Sequence, residues 1–223
     1  MVQRQIHKDG HKYQGADIIL IHKYNGQDTV IVFEQQNKRG SYVNIAGGRC
    51  ETKHRDLEDT ASVELYEESR KSIFIASDVL RDMTRHGSFV DYPGDAHHAL
   101  PGRRRCFIGR IPHASTTLYK QNKRIMDSLV PSSHMLPFFE TDAMARIPVA
   151  DIDATLIPGD SGHGRTINGL NVSRFTITAY IRAKAAGLLT NPYDLSRVRY
   201  EQKANDNRDA TGRISGRIDT YRF

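Results

Sequence analysis

Residues 46 to 72 read AGGRCETKHRDLEDTASVELYEESRKS, and this stretch decides how the rest of the chain is read. Glu64, Glu67 and Glu68 recur at i, i+3 and i+4, so a helix would project all three carboxylates from one face within a single turn. Leu57, Ala61 and Leu65 form the adjacent apolar stripe, suited to burial against a sheet. Like charges this close repel, and a divalent cation with hard oxygen ligands removes the penalty. Taken alone, an acidic helix face is more often simply solvated. Gly47-Gly48 upstream changes the weighing, because paired glycines in a strand-to-helix loop let backbone approach a phosphate closely.

Outward from this helix, expected over about 55–72, the pattern is of short strands. DIILIH (17–22) and TVIVF (29–33) flank Asn25-Gly26, a hairpin signal, and YVNIA (42–46) is a third short strand closing on the glycine pair. SFVDY (88–92) and RCFIGRI (105–111) read as strands joined by a Gly/Pro/His-rich loop. Residues 118–129 suggest an inserted helix, 145–149 a strand, 160–171 a glycine-rich loop and 171–189 a closing helix. The predicted class is α/β (α+β), with helices covering a curved mixed sheet. The expected organisation is an N-terminal extension over 1–14, one domain over 15–190, and a polar, basic tail over 191–223.

Of the 223 residues, 38% are hydrophobic, enough for one good core. No apolar run approaches the ~20 residues of a membrane-spanning helix, and residues 1–13 lack a secretory apolar stretch. Cys50 and Cys106 have no zinc-type spacing and suggest unpaired thiols in a reducing, cytoplasmic setting. The formal charge of +6 favours anionic partners without choosing among them. The aromatic residues show no RNA-sheet pattern.

Here the chain resembles the Nudix hydrolases, whose box reads G-x5-E-x7-R-E-U-x-E-E-x-G-U, with U aliphatic. Gly48 matches the opening glycine, and Glu64-Leu65-Tyr66-Glu67-Glu68 match the E-U-x-E-E core. The resemblance extends over roughly residues 15–188. It implies an α/β/α sandwich with a curved mixed sheet and helices on both faces. The implied activity is Mg²⁺- or Mn²⁺-dependent hydrolysis of a pyrophosphate linkage in a nucleoside diphosphate linked to another group. The substrate would be a small nucleotide, capped RNA or a diphosphoinositol polyphosphate. Several positions depart from the box. The stretch from Gly48 to Glu64 is one residue longer, the first glutamate falls on His54 or Arg55, and Val63, Arg70 and Lys71 replace the arginine, the late glycine and the aliphatic. Glu51, Asp56 and Glu58 are nearby substitutes for the missing acid. These departures support an alternative, a weak or inactive module of the same fold that binds RNA, nucleotide or protein.

The resemblance assigns Glu64, Glu67 and Glu68 as metal ligands, with the Gly48 carbonyl as a further one. Glu67, Glu68 or the loop acid Glu140 would take the proton from water. Lys38, Arg39, Arg103 and Arg105 are the candidate phosphate contacts, within the basic runs Lys38-Arg39 and Arg103-Arg104-Arg105. His97 and His98 lack further ligand spacing. Expected partners are the phosphorylated small molecule or capped RNA and a second copy in a homodimer, with no membrane.

Overall fold

A computed structural model describes residues 13–38, 40–51, 53–94, 102–112, 114, 116–128 and 140–197. The DIILIH run lies inside β1 (Tyr13–Tyr24), which turns at Asn25-Gly26 into β2 (Gln27–Asn37). Both turn residues have positive φ, 49° and 81°, the combination a tight two-residue hairpin loop requires. β1 is covered along one edge by β6 (Arg103–Ile111) in parallel register, Ala16 opposite Arg105 through His22 opposite Ile111. Its other edge is shared: β4 (Ala46–Arg49) pairs antiparallel with its first half and β2 with its second. β2 then takes β3 (Gly40–Asn44) on one side and β7 (Thr141–Pro148) on the other. The described strands make one mixed, curved sheet that does not close.

Alternation along β1 and β2 divides the core into two layers. Ile18, Leu20, Ile31 and Phe33 pack with Leu57, Ala61 and Leu65 of α1 (Leu57–Glu68), and with Leu80 and Met83 of α2 (Ser77–Arg85). Tyr119 of α3 (Thr116–Asp127) joins the same layer. Ile19, Ile21, Val30 and Val32 face the opposite way, onto Ile152 of α4 (Val149–Ala154) and Ile177, Tyr180 and Ala183 of α5 (Arg174–Ala185). Helices therefore cover both faces. A strand buried on both sides reads as an unbroken apolar run, which is how DIILIH reads. No helix among the described residues is long and apolar enough to cross a membrane.

Several expectations are corrected. Gly47-Gly48 is in β4, opposite Asp17 and Ala16, rather than in a loop. The arginine run lies wholly within β6, which begins at Arg103 rather than at Arg105. α2 was not expected, because its SDVLRDMTR sequence buries only Leu80 and Met83 and has no side-chain N-cap bond. The glycine-rich 160–171 stretch contains a hairpin, β8 (Arg165–Ile167) and β9 (Leu170–Val172), turning at Asn168-Gly169. After residue 190, β10 (Tyr193–Asp194) pairs with β6, and Leu195 in the following 3₁₀ turn is fully buried, so the chain stays packed further than its polar composition suggested.

Leu65 is fully buried between α1 and the sheet. Truncating Leu65 to Ala should cost about 2–5 kcal/mol by lost transfer energy and cavity formation, measured as a lowered midpoint in urea unfolding.

Candidate active site

α1 starts from Asp56, whose side chain accepts from the Asp59 amide at 2.7 Å and pairs with Arg81 of α2 at 2.7 Å. With that end fixed and the Leu57–Ala61–Leu65 stripe buried, the acidic face meets β4. Glu68 is buried, and its two carboxylate oxygens accept from Gln35 Nε2 at 2.6 Å and from the Gly47 amide at 3.0 Å. Tyr42 Oη in turn donates to Gln35 Oε1 at 2.8 Å. The Glu64 carboxylate lies directly over Gly48: a Cβ there would stand 2.2 Å from it. Glu67 is nearer solvent and accepts from Lys53 Nζ at 3.3 Å, while Lys53 also pairs with Glu51 at 3.1 Å.

The acids act on one another. Burial pushes the Glu64 carboxyl up to about 8, and the Glu67, Glu51 and Glu140 charges push the same way. Glu68 is raised well above the usual carboxylate range by burial and then by Glu64, against the Gly47 amide. Glu67 is raised by burial, with Lys53 opposing. Glu140, exposed immediately before β7, is raised by desolvation and by Glu51. All the donors are hard oxygens, the set that suits Mg²⁺ or Mn²⁺. Among the described residues no three His, Cys, Asp or Glu side chains stand together closely enough to hold a metal ion. The fit is therefore one of donor chemistry and of accumulated negative charge.

Beneath β4 lies a buried polar floor. Asp17 accepts from Arg104 Nε at 2.8 Å and Nη2 at 2.5 Å, and from Tyr92 Oη at 2.5 Å. Arg104 Nη2 also donates to the Gly48 carbonyl at 3.0 Å. Gly47, at φ 155°, passes so close that a Cβ would sit 2.2 Å from Asp17 Oδ1. The carbonyl assigned from the resemblance as a metal ligand thus already accepts from a guanidinium.

The far end of α1 is held by the residue that replaces the box glycine. Arg70 keeps the left-handed backbone that a glycine would favour, φ 49°, yet its side chain is buried. Its Nε and Nη2 donate to the Thr141 carbonyl at 3.0 and 2.5 Å, and its Nη1 pairs with Asp127 of α3 at 3.2 Å. Thr141 Oγ1 donates back to the Glu68 carbonyl at 2.7 Å. Because Thr141 follows Glu140 directly, this knot sets Glu140 relative to α1.

Glu64 and Glu68 meet β4 at Gly48 and Gly47, Glu67 pairs with Lys53, and Glu140 lies near enough for its charge to act on all three. The basic candidates are placed differently. Arg105 is committed to Asp91 at 2.9 Å and stacks over the Tyr13 and Phe89 rings, so its donors face β5 (Phe89–Pro93) rather than the glutamates. Arg104 is part of the floor. Arg103 and Lys38 are exposed, while Arg39, His97 and His98 lie outside the described residues. Of the substitute acids, Asp56 caps α1, Glu58 accepts from Thr84 at 2.6 Å, and Glu51 alone joins the cluster through Lys53. Sequence reading missed Gln35, Tyr42, Lys53 and the Asp17–Arg104 pair. Alternation did carry a signal for Gln35, two residues from Phe33 on the α1 face, and Asp17 opens an otherwise apolar run.

No family model matches the chain, and no curated protein matches it. Solved structures do. The NUDIX domain of Shewanella oneidensis NrtR complexed with ADP ribose has 10% identity over 78% of this chain and 88% of that one, at a TM-score of 0.47. C. elegans Ap4A hydrolase has 13% identity over 79% and 98%, at 0.41. A NUDIX hydrolase from Alicyclobacillus acidocaldarius has 13% identity over 86% and 99%, at 0.42. The chain is similar to Nudix structures.

Glu64 has a folded value of about 8 against an ordinary 4.5, so its neutral form stabilises the fold at low pH and that contribution is lost as pH rises between the two. In EDTA, the melting temperature of the wild type should therefore fall between pH 5 and pH 8, more steeply than that of Glu64→Gln. Parallel curves for the two proteins would contradict the burial of an ionisable Glu64.

Proposed function

We propose that the chain is a Mg²⁺- or Mn²⁺-dependent hydrolase of a pyrophosphate linkage in a nucleoside diphosphate-type substrate. The observation that carries this reading is the seating of Glu64 over Gly48 and of Glu68 on the Gly47 amide, with Glu67 nearer solvent and all three carboxyls raised by burial. Crowded buried carboxylates are costly when ionised, and a divalent cation joining them offsets that cost. Glu64, Glu67 and Glu68, with the Gly48 carbonyl beside them, would hold the ion. Bound there, it would supply neutralisation of the phosphate charge and acidify a coordinated water.

The chain's own residues do the rest. Glu140, at the mouth of the cluster with a raised carboxyl, accepts the proton of the attacking water, and Glu67 is the other acid placed to do so. The water oxygen bonds to one phosphorus, the bridging P–O bond breaks, and the leaving phosphate carries away the electron pair. Arg104 and Asp17 hold the Gly48 carbonyl in place from below. Lys38 and Arg103, both exposed, with Arg39, add positive field for a polyanionic substrate. Capped RNA, diphosphoinositol polyphosphates and small nucleotides all present the required linkage. The unpaired thiols Cys50 and Cys106 suit a reducing, cytoplasmic compartment.

The test is product release from a panel of ADP-ribose, dinucleoside polyphosphate, capped RNA and diphosphoinositol polyphosphate, with and without Mg²⁺ or Mn²⁺. Wild type should turn over at least one of them only with metal. Glu140→Gln should lose roughly 10²–10⁴-fold if it is the base. Glu67→Gln and Glu68→Gln should lose more than the roughly 10–100-fold typical of residues that merely support a ligand. Absence of metal-dependent turnover across the panel would instead favour a binding module of the same fold.

A further inference from the structure

Lys53 stands on the loop between β4 and α1, with Nζ 3.1 Å from Glu51 and 3.3 Å from Glu67. Its side chain is 45% exposed and that of Glu67 14%, so the contact lies at the solvent end of the acidic face. An ion pair this open is weak and exchanges readily. The Lys53 charge nevertheless offsets the repulsion felt by Glu64, Glu67 and Glu140. It occupies the loop that is one residue longer than the family spacing, and the box arginine is Val63 here.

We infer that Lys53 is a resident counter-cation of the acidic face, displaced from Glu67 by a divalent ion and then contacting a phosphate oxygen of the substrate. This rests on the metal-dependent reading above. A dication and an ammonium compete for the same Glu67 oxygens, and the four-carbon stem of lysine lets Nζ swing without moving backbone. Glu51, 54% exposed, keeps the displaced ammonium at the mouth. A pyrophosphate entering there is the strongest anion within its reach. Lys53 thus acts twice: it holds the empty cluster together, and it binds the substrate once the cluster is filled.

The experiment titrates Mn²⁺ into wild type, Lys53→Met and Lys53→Arg without substrate, reading free Mn²⁺ by electron paramagnetic resonance. Calorimetry then measures binding of the non-hydrolysable probe imidodiphosphate in saturating Mn²⁺. Lys53→Met keeps the stem at an exposed position, so its fold should be unaffected. It should bind Mn²⁺ about 2- to 5-fold tighter and imidodiphosphate about 2- to 5-fold more weakly, the scale of one exposed charge contact, while Lys53→Arg stays near wild type. A purely structural lysine would not move these two affinities in opposite directions. Unchanged or weaker Mn²⁺ binding in Lys53→Met, or unchanged imidodiphosphate binding, overturns the inference. Neither readout needs turnover, so a wild type that binds Mn²⁺ but hydrolyses nothing removes the functional reading alone. An active wild type with an indifferent Lys53→Met removes this inference alone.

Discussion

A carboxylate taken out of water must be given hydrogen bonds, and Glu68 receives one from the Gly47 amide and one from Gln35. Those two contacts join three elements: α1, which carries the acids; β4, which carries the glycine pair; and β2, at the centre of the sheet. Once Glu68 is seated, the helical repeat places Glu64 over Gly48 and Glu67 at the rim. The seat exists only because β4 has no side chains there, since a Cβ on Gly48 would occupy the space of the Glu64 carboxylate. The arrangement of the acids follows from one buried anchor and one bare strand.

The opposite side of that strand is no less constrained. Asp17 and Arg104 form a buried pair closed by Tyr92, and the guanidinium reaches on to the Gly48 carbonyl. A buried pair of this kind adds little net stability over an apolar replacement, yet losing one partner strands a charge. Its value lies in fixing the glycine pair of β4, which has no side chains to pack. Arg70 does the corresponding work at the end of α1. It accepts a backbone conformation usually left to glycine, and its bonds to Thr141 and Asp127 tie α1 to β7 and α3.

Much of this was legible in the residues. The β1–β2 hairpin, the buried α1 stripe, the acidic face and the closing helix were all visible as periodicity and turn chemistry. The substitutions at Val63 and Arg70 read as losses, because a motif records which side chain is missing and not what a new one does. Arg70 became intelligible only when Thr141, distant in the chain, was seen beside it. Arg103 and Arg105 read as phosphate contacts because three arginines in a row look like a basic patch. Strand alternation instead sent Arg104 to Asp17 on the buried face and Arg105 to Asp91. α2 and the β8–β9 hairpin were hidden by polar or glycine-rich composition, although Asn168-Gly169 carried the same turn signal as Asn25-Gly26.

The central claim is that the acids packed on Gly47-Gly48 form the seat of a divalent cation that meets a pyrophosphate. A crystal structure grown with Mn²⁺ and a non-hydrolysable dinucleotide tests it most directly, because manganese can be located by its anomalous scattering. The account predicts an anomalous peak between the Glu64 and Glu67 carboxylates, within coordination distance of the bound diphosphate. A diphosphate bound elsewhere, or a peak remote from these glutamates, would contradict it.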